Sequence, residues 1–262
     1  MAFFKSLLLA FSMFSTIPMP KVDWNEKNMR YLMCAFPLVG LVIGALFWLA
    51  WHLVGFLPEE SEGGMMARRI LPLVLLLIPL AVTGGIHMDG FMDTCDALAS
   101  HADREKKLAI MKDSHAGAFA VMGAVLYFLC DFVLLGEWCR FSLGVLPLVF
   151  VFSRLLSAFS VAVFSPAKES GLVRTFADAG ARRFTAVWSV FWFLLAAFSA
   201  VWFFRLQALA VIGAQLLVFV CYFLLTRRHF GGITGDTAGW FVQVAEIISF
   251  AAAFVLRLCQ CG

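Results

Sequence analysis

Long apolar runs separated by short polar segments dominate the chain. A helix needs roughly 20 apolar residues to cross a bilayer core about 30 Å thick. Seven runs are predicted to be membrane-spanning helices: 31–57, 70–85, 117–136, 143–164, 184–204, 207–225 and 239–258. The second run is short, and we expect the acidic segment after it to extend its helix. The pattern predicts an all-α polytopic membrane protein, with 1–262 forming a single integral membrane domain.

The first 20 residues have a different pattern, with large apolar side chains on one side of a helix and polar side chains towards the other. The apolar set is Phe3, Phe4, Leu7, Leu8, Phe11 and Phe14. This arrangement predicts an interfacial amphipathic helix. A signal peptide is the alternative, but no small-residue cleavage site precedes Pro18 and Pro20.

Composition supports the membrane assignment, since 62% of the residues are apolar and only 14% are charged. The net charge of +3 has no basic stripe with interleaved aromatics, so no nucleic-acid partner is expected. The seven cysteines are scattered and lack the spacing of a zinc site or a disulfide framework.

Lysine and arginine are unevenly divided between the two ends of the predicted spans. Fourteen belong to one side: Lys5, Lys21, Lys27, Arg30, Arg104, Lys106, Lys107, Lys112, Lys168, Arg174, Arg182, Arg183, Arg227 and Arg228. Five belong to the other: Arg68, Arg69, Arg140, Arg205 and Arg257. The richer side is predicted to be cytoplasmic. The segments 84–117, 165–183 and 231–236 all fall on that side, as a composite active site would require.

The segment 84–117 is a dense patch of acid in an otherwise apolar chain. If 87–98 is helical, Asp89, Asp93 and Asp96 lie within about 60° of one another on one face. Carboxylates at this spacing repel one another unless a cation lies between them, and they suit Mg²⁺ or Mn²⁺ bound together with substrate phosphates. A solvated acidic face is the alternative. The adjoining membrane span and nearby glycines favour metal-assisted phosphate chemistry.

Two further segments carry groups suited to this chemistry. The segment 231–236 places glycines, a hydroxyl and a carboxylate before an apolar run, where free N–H groups suit a phosphate or a metal contact; a plain helix end is the alternative. The segment 112–115 could supply a ligand or a general base. His87 is predicted to point away from the aspartates, as a phosphate contact or a capping residue.

Charged residues also occur inside or beside the spans. The basic segment around Lys168 either binds phosphates of an anionic substrate or anchors lipid headgroups. Glu246 lies inside the last span and needs a partner or a proton. Arg154 and Asp131 lie in neighbouring predicted spans, and we expect them to form an ion pair.

Three ordered motifs extend the picture: Gly84-Gly85-x-His87-x-Asp89-Gly90-x-x-Asp93-Thr94-Cys95-Asp96, Ile110-Met111-Lys112-Asp113-Ser114 and Gly232-x-Thr234-Gly235-Asp236-x-x-Gly239. Together with 36–44 and Ser153-Arg154, they resemble the cobalamin synthase family, the adenosylcobinamide-GDP ribazoletransferases. The resemblance covers essentially the whole chain. It departs from the family pattern at Ala97, Lys112, His115, Trp240 and Gln243.

The resemblance implies a Mg²⁺-dependent transferase of the bacterial inner membrane that acts late in vitamin B12 assembly. It would join α-ribazole or α-ribazole 5′-phosphate to adenosylcobinamide-GDP and release GMP. Association with other late enzymes of that pathway and the oligomeric state are left open.

The same resemblance implies a set of site residues. Metal binding is expected at Asp89, Asp93, Asp96 and Asp113, and Asp236 completes the catalytic set. Asp113 is the predicted acceptor of the hydroxyl proton. Substrate binding is expected at His87, Gly90, Ser114, Arg154, Lys168, Gly232, Thr234, Gly235 and Glu246.

Three other classes of protein would differ from this chain in specific ways. A membrane phosphotransferase of the CDP-alcohol type would have Ala-Arg after its Asp-Gly, whereas this chain has Met92-Asp93 in that place. A cation-coupled transporter would place its acids near the middle of the membrane. An inactive corrinoid-binding scaffold would not need intact metal ligands.

Overall fold

The structure, a computed structural model, describes residues 2–139, 143–168 and 172–261. Arg140, counted above in the charge distribution, lies outside them. The described residues form twelve helices: α1 (Ala2–Phe14), α2 (Glu26–Met29), α3 (Leu32–Gly55), α4 (Glu62–Thr83), α5 (Ile86–Ala99), α6 (Arg104–Ile110), α7 (Ala118–Trp138), α8 (Leu146–Val163), α9 (Leu172–Ala179), α10 (Arg182–Phe204), α11 (Leu206–His229) and α12 (Gly235–Cys261).

Seven of these helices are long and apolar enough to cross a membrane: α3, α4, α7, α8, α10, α11 and α12. The prediction of an all-α polytopic protein is therefore confirmed. α8 is central, since 72% of its most apolar stretch of 18 residues is buried. α10 is peripheral, since only 11% of the corresponding stretch is buried. The outer helices expose many large apolar side chains, as a lipid environment requires.

Close packing of α3 against α8 forms the centre of the bundle. A Cβ atom at Gly40 would lie 2.2 Å from the backbone oxygen of Phe150, and one at Gly44 would lie 2.3 Å from that of Pro147. Two small residues four positions apart therefore allow the backbones to approach, as in many membrane helix pairs.

The second predicted span ends differently from the expectation. Gly84 and Gly85 both adopt left-handed backbone angles, with φ of 63° and 79°, and they separate α4 from α5. The acidic segment therefore forms its own helix and does not extend the span. A side chain at either position would be strained, because only glycine adopts this conformation without cost.

The predicted amino-terminal helix is confirmed as α1. Ser6, Leu9 and Ala10 are buried, while Phe3 and Phe4 are exposed. The Ser6 hydroxyl donates to the backbone oxygen of Asn28 at 2.6 Å. At the other end of α1, the Phe14 ring packs on Phe36 of α3 with a centroid distance of 4.4 Å, so only part of the aromatic side faces outwards.

Three polar segments meet at one end of the bundle, as predicted. The backbone N–H of Ile233 donates to the oxygen of Ser165 at 3.0 Å, and the N–H of Ala167 donates to the oxygen of Ile233 at 2.8 Å. The Arg104 guanidinium donates to the Ala167 oxygen at 3.0 Å. The segments after α5, α8 and α11 are thereby tied together.

Candidate active site

A cavity of about 260 Å³ opens where α5 and the start of α12 face α1, α3, α8 and α9. Asp89, Asp236 and His87 line it together with several large apolar side chains. Gly90 makes this arrangement possible, because a Cβ atom there would lie 2.7 Å from the backbone oxygen of Asp236. α5 and α12 therefore touch backbone to backbone, and their carboxylates come close together.

Asp93 lies within a cluster of four carboxylates. Its pKa is raised to about 6, with burial as the largest cause. The negative charges of Asp89, Asp236 and Asp96 also raise it. Asp236, predicted from a separate motif, thus joins the acids of α5.

Asp96 has a structural task in addition to its place in the cluster. Its carboxylate accepts hydrogen bonds from the backbone N–H groups of Gly117 at 2.6 Å and Ala120 at 2.8 Å. These are unpaired donors at the start of α7, so Asp96 caps that helix across the fold.

Asp113 and Ser114 lie on an exposed segment, and neither lines the cavity. The Asp113 carboxylate bonds to the His115 ring at 2.7 Å and accepts from the His115 backbone N–H at 3.0 Å. These hydrogen bonds lower the pKa of Asp113. Asp113 and His115 therefore form a pair of their own outside the cavity wall that contains Asp89 and Asp236.

The Lys168 side chain supplies a positive charge near Asp236. Burial lowers the pKa of its amine, while the charge of Asp236 opposes that effect. Of the other basic residues in its segment, Arg174 pairs with Asp178 at 2.7 Å, and Arg182 donates to the Ala162 oxygen at 3.0 Å.

The segment 231–236 is divided between a loop and a helix. α12 begins at Gly235 rather than Gly239, so Asp236 lies in its first turn. Thr234 and Thr237 exchange hydrogen bonds between side-chain oxygens and backbone N–H groups, at 2.9 and 3.1 Å. The Gly232 N–H donates to the Thr226 oxygen at 3.2 Å. Thr234 and Gly232 therefore already support the helix ends.

His87 is buried and lines the cavity, so it lies beside Asp89 rather than on a separate surface. Its ring is nearly parallel to that of Phe14, with a centroid distance of 6.4 Å. Burial, and then the charge of Arg154, lower the pKa of His87 well below its usual value. The neutral imidazole forms part of the cavity wall.

The predicted pair between Arg154 and Asp131 is wrong. Arg154 forms its ion pair with Glu246, whose carboxylate also accepts from Ser153 at 2.9 Å. α12 packs against both α7 and α8, and it supplies the nearer acid. Both members of the Arg154–Glu246 pair are almost fully buried behind the cavity.

The residues present are compatible with the expected Mg²⁺. Among the described residues, no three His, Cys, Asp or Glu side chains form a complete metal-ligand group. Mg²⁺ usually keeps several waters and binds through one or two carboxylates plus substrate phosphates, so a complete protein cage is not required. The mutual repulsion around Asp93 is what a bound cation would relieve.

The apolar wall of the cavity was not predicted from the sequence. It includes Phe14, Phe36 and Phe176. In a chain with 29 phenylalanines, a ring that lines a cavity has the same local pattern as one that faces lipid or core.

Comparisons with known proteins agree with the motifs. A family model described as cobalamin-5-phosphate synthase matches residues 6–254. The chain belongs to this family. The family assignment favours neither the CDP-alcohol phosphotransferase nor the transporter.

Three relatives of this chain share the name adenosylcobinamide-GDP ribazoletransferase. The protein of Lachnoclostridium phytofermentans is 36% identical over 97% of this chain and 95% of its own length. That of Clostridium botulinum strain Alaska E43 is 31% identical, over 95% and 97%. That of Geobacillus sp. strain WCH70 is 31% identical, over 98% and 97%. No solved structure matches the chain significantly.

Proposed function

We propose that this chain is an adenosylcobinamide-GDP ribazoletransferase, which joins α-ribazole or α-ribazole 5′-phosphate to adenosylcobinamide-GDP and releases GMP. The observation that carries the proposal is the cavity at the contact of α5 and α12. Two of the three family motifs meet there, with Asp89 and Asp236 in its wall. Full-length relatives bearing this name support it.

In this proposal one or two carboxylates from Asp89, Asp93 and Asp236 would hold Mg²⁺ beside the pyrophosphate, and Asp96, which caps α7, would lie next to them. The ion would neutralise the pyrophosphate and stabilise the departing GMP. Asp113 belongs to the predicted metal set, although its exposed position favours a different task.

The chain's own residues would orient the reactants. Lys168, placed towards Asp236, is suited to a phosphate oxygen. The ribazole hydroxyl would attack the phosphorus attached to cobinamide; the new P–O bond forms as the P–O bond to GMP breaks, and GMP keeps the electron pair. The hydroxyl proton would pass to a carboxylate. Asp113 is the predicted acceptor, but it is exposed and does not line the cavity, whereas Asp89 and Asp236 do and are better placed to take the proton.

The proposed location is the bacterial inner membrane, with the amino terminus and the cavity on the cytoplasmic side. Seven apolar helices support a multi-pass membrane protein. The excess of lysine and arginine at the cavity end supports this orientation.

The test is product formation by protein purified in detergent or nanodiscs and supplied with adenosylcobinamide-GDP, α-ribazole and Mg²⁺. We expect GMP and a cobalamin product in equal amounts. EDTA should abolish turnover, and Asp89→Asn should lower kcat about 100-fold or more, since several kcal/mol of transition-state stabilisation would be lost.

Asp23→Asn is the matched control, because Asp23 is exposed and does not line the cavity. It should retain wild-type turnover. Wild-type protein that binds Mg²⁺ and both substrates without forming product would contradict the proposed activity. Full turnover in EDTA would contradict the metal assignment alone.

A further inference from the structure

The cavity wall contains two kinds of side chain. Its wall combines the rings of Phe14, Phe36 and Phe176 with the carboxylates of Asp89 and Asp236, and the other polar side chains in the wall are His87 and Ser157. The Phe14 ring lies 4.4 Å from that of Phe36 and 6.4 Å from that of Phe176, between centroids. A ligand that fits here must combine an apolar part with a polar part that reaches the acids.

The volume limits which part of the proposed substrates can enter. An apolar cavity of about 150 Å³ holds a benzene molecule. The volume of about 260 Å³ therefore suits one two-ring heteroaromatic group. A corrin macrocycle with its side chains is far larger.

The polarity of the wall distinguishes between the two bases that the substrates carry. Guanine has hydrogen-bonding groups around its edge, and each one buried without a partner costs about 1–3 kcal/mol. Phenylalanine and methionine side chains cannot satisfy these groups. They do pack well against an apolar aromatic ring, through ring contacts and sulfur–aromatic contacts from Met13 and Met33.

We propose that this cavity binds the benzimidazole base of α-ribazole between Phe14, Phe36 and Phe176, and directs the ribose hydroxyls towards Asp89 and Asp236. The inference rests on the proposed function, since it assigns one of that reaction's two substrates to this site. The cavity would thus hold α-ribazole, the substrate whose hydroxyl attacks, by its benzimidazole ring. The corrinoid and guanosine parts of adenosylcobinamide-GDP would remain outside the cavity. Phe176 and Val173, both on α9, would determine which base is accepted.

Equilibrium binding of α-ribazole without Mg²⁺ gives a direct test that is independent of turnover. Phe176→Ala should weaken this binding about tenfold and raise the KM for α-ribazole similarly. The KM for adenosylcobinamide-GDP should stay within about twofold of wild type. Val173→Phe, which fills the same cavity, should also weaken α-ribazole binding, and it tests the proposal should Phe176→Ala fail to fold.

Base preference supplies a readout that a general loss of stability would not produce. Phe176→Ala should shift the preference, measured as relative kcat/KM, towards ribosides of bases bulkier than dimethylbenzimidazole. Val173→Phe should shift it towards the unsubstituted benzimidazole riboside. The control Phe191→Ala removes an exposed ring of α10 and should change neither quantity.

The outcomes separate the two proposals. An active wild-type enzyme in which these variants raise only the KM for adenosylcobinamide-GDP would overturn the cavity assignment and leave the proposed function standing. Unchanged α-ribazole affinity in both variants would overturn it as well. A wild-type protein that binds neither substrate would overturn the proposed function and this inference together.

Discussion

Arg154 and Glu246 form an ion pair among apolar helices, where neither charge can be solvated by bulk water. The Arg154 guanidinium also donates to the Phe150 oxygen and to the Ser153 hydroxyl, both at 3.0 Å. A buried pair of this kind adds little stability compared with apolar residues, but loss of one partner strands the other charge. We therefore interpret the pair as a tie between α8 and α12 behind the cavity.

Glu246→Ala should lower the free energy of unfolding by about 3–5 kcal/mol, because Arg154 would remain charged without its partner. Thermal unfolding of the purified protein in detergent would measure this loss. The double change Arg154→Met with Glu246→Leu should recover most of it. A double variant as unstable as the sum of the two single variants would show that the two residues do not act as a pair.

At the scale of the helices, the site depends on where α5 can lie. The left-handed pair Gly84 and Gly85 turns the chain out of α4, and Gly90 then brings α5 against the first turn of α12. The acids of two distant motifs meet because no side chain stands between these two backbones. Asp96 secures the following helix by capping α7.

Gly90→Ala should separate α5 from α12, since its Cβ would lie 2.7 Å from the Asp236 oxygen and 2.8 Å from the Asp236 Cα. We expect a destabilisation of about 1–3 kcal/mol and a fall in kcat of about tenfold or more. Gly213→Ala in α11 is the matched control, because its Cβ would meet no atom within 4 Å. Equal activity of the two variants would mean that the close approach of α5 and α12 is not needed.

Asp96→Ala should cost about 1 kcal/mol of stability through the lost cap of α7. Asp96→Asn keeps one oxygen acceptor and should cost less. Titration of activity with Mg²⁺ then distinguishes the two tasks of this residue. If Asp96 only caps α7, Asp96→Asn should reach half-maximal activity at the same Mg²⁺ concentration as wild type. If Asp96 also binds the metal, that concentration should rise.

At the scale of the whole molecule, seven of the helices that the structure describes could cross a membrane, and because this number is odd we expect the two ends of the chain on opposite sides. The cavity lies at the end of the bundle where the segments after α5, α8 and α11 meet. This end carries most of the lysine and arginine, which favours the cytoplasm.

Reporter fusions would test this orientation. Alkaline phosphatase joined after residue 261 should be active, because it would be exported, whereas the same enzyme joined after residue 116 should be inactive. Green fluorescent protein at the two positions should give the opposite pattern. Active phosphatase at residue 116 would place the cavity on the outer side and contradict the proposed cytoplasmic site.

Local patterns were sufficient for the spans, the amino-terminal helix and the helical acidic segment, because each depends on the spacing of residues close together in the chain. The break at Gly84-Gly85 was missed because glycine alone does not reveal whether its positive φ is used. The pattern of α1 does not reveal which of its residues pack on the bundle, because large rings can face lipid or core in a membrane protein.

The sequence by itself determined the class of protein, its family and the acids from which a metal site could be built. Only the tertiary structure decided how these residues are used. It joined Asp236 to the acids of α5, paired Arg154 with Glu246 rather than Asp131, and left Asp113 outside the cavity. It also brought Phe14, Phe36 and Phe176 together in the wall of one cavity. Motifs depend on residues near one another in the chain, whereas ion pairs and cavities depend on which helices touch, and that choice follows from packing over the whole bundle.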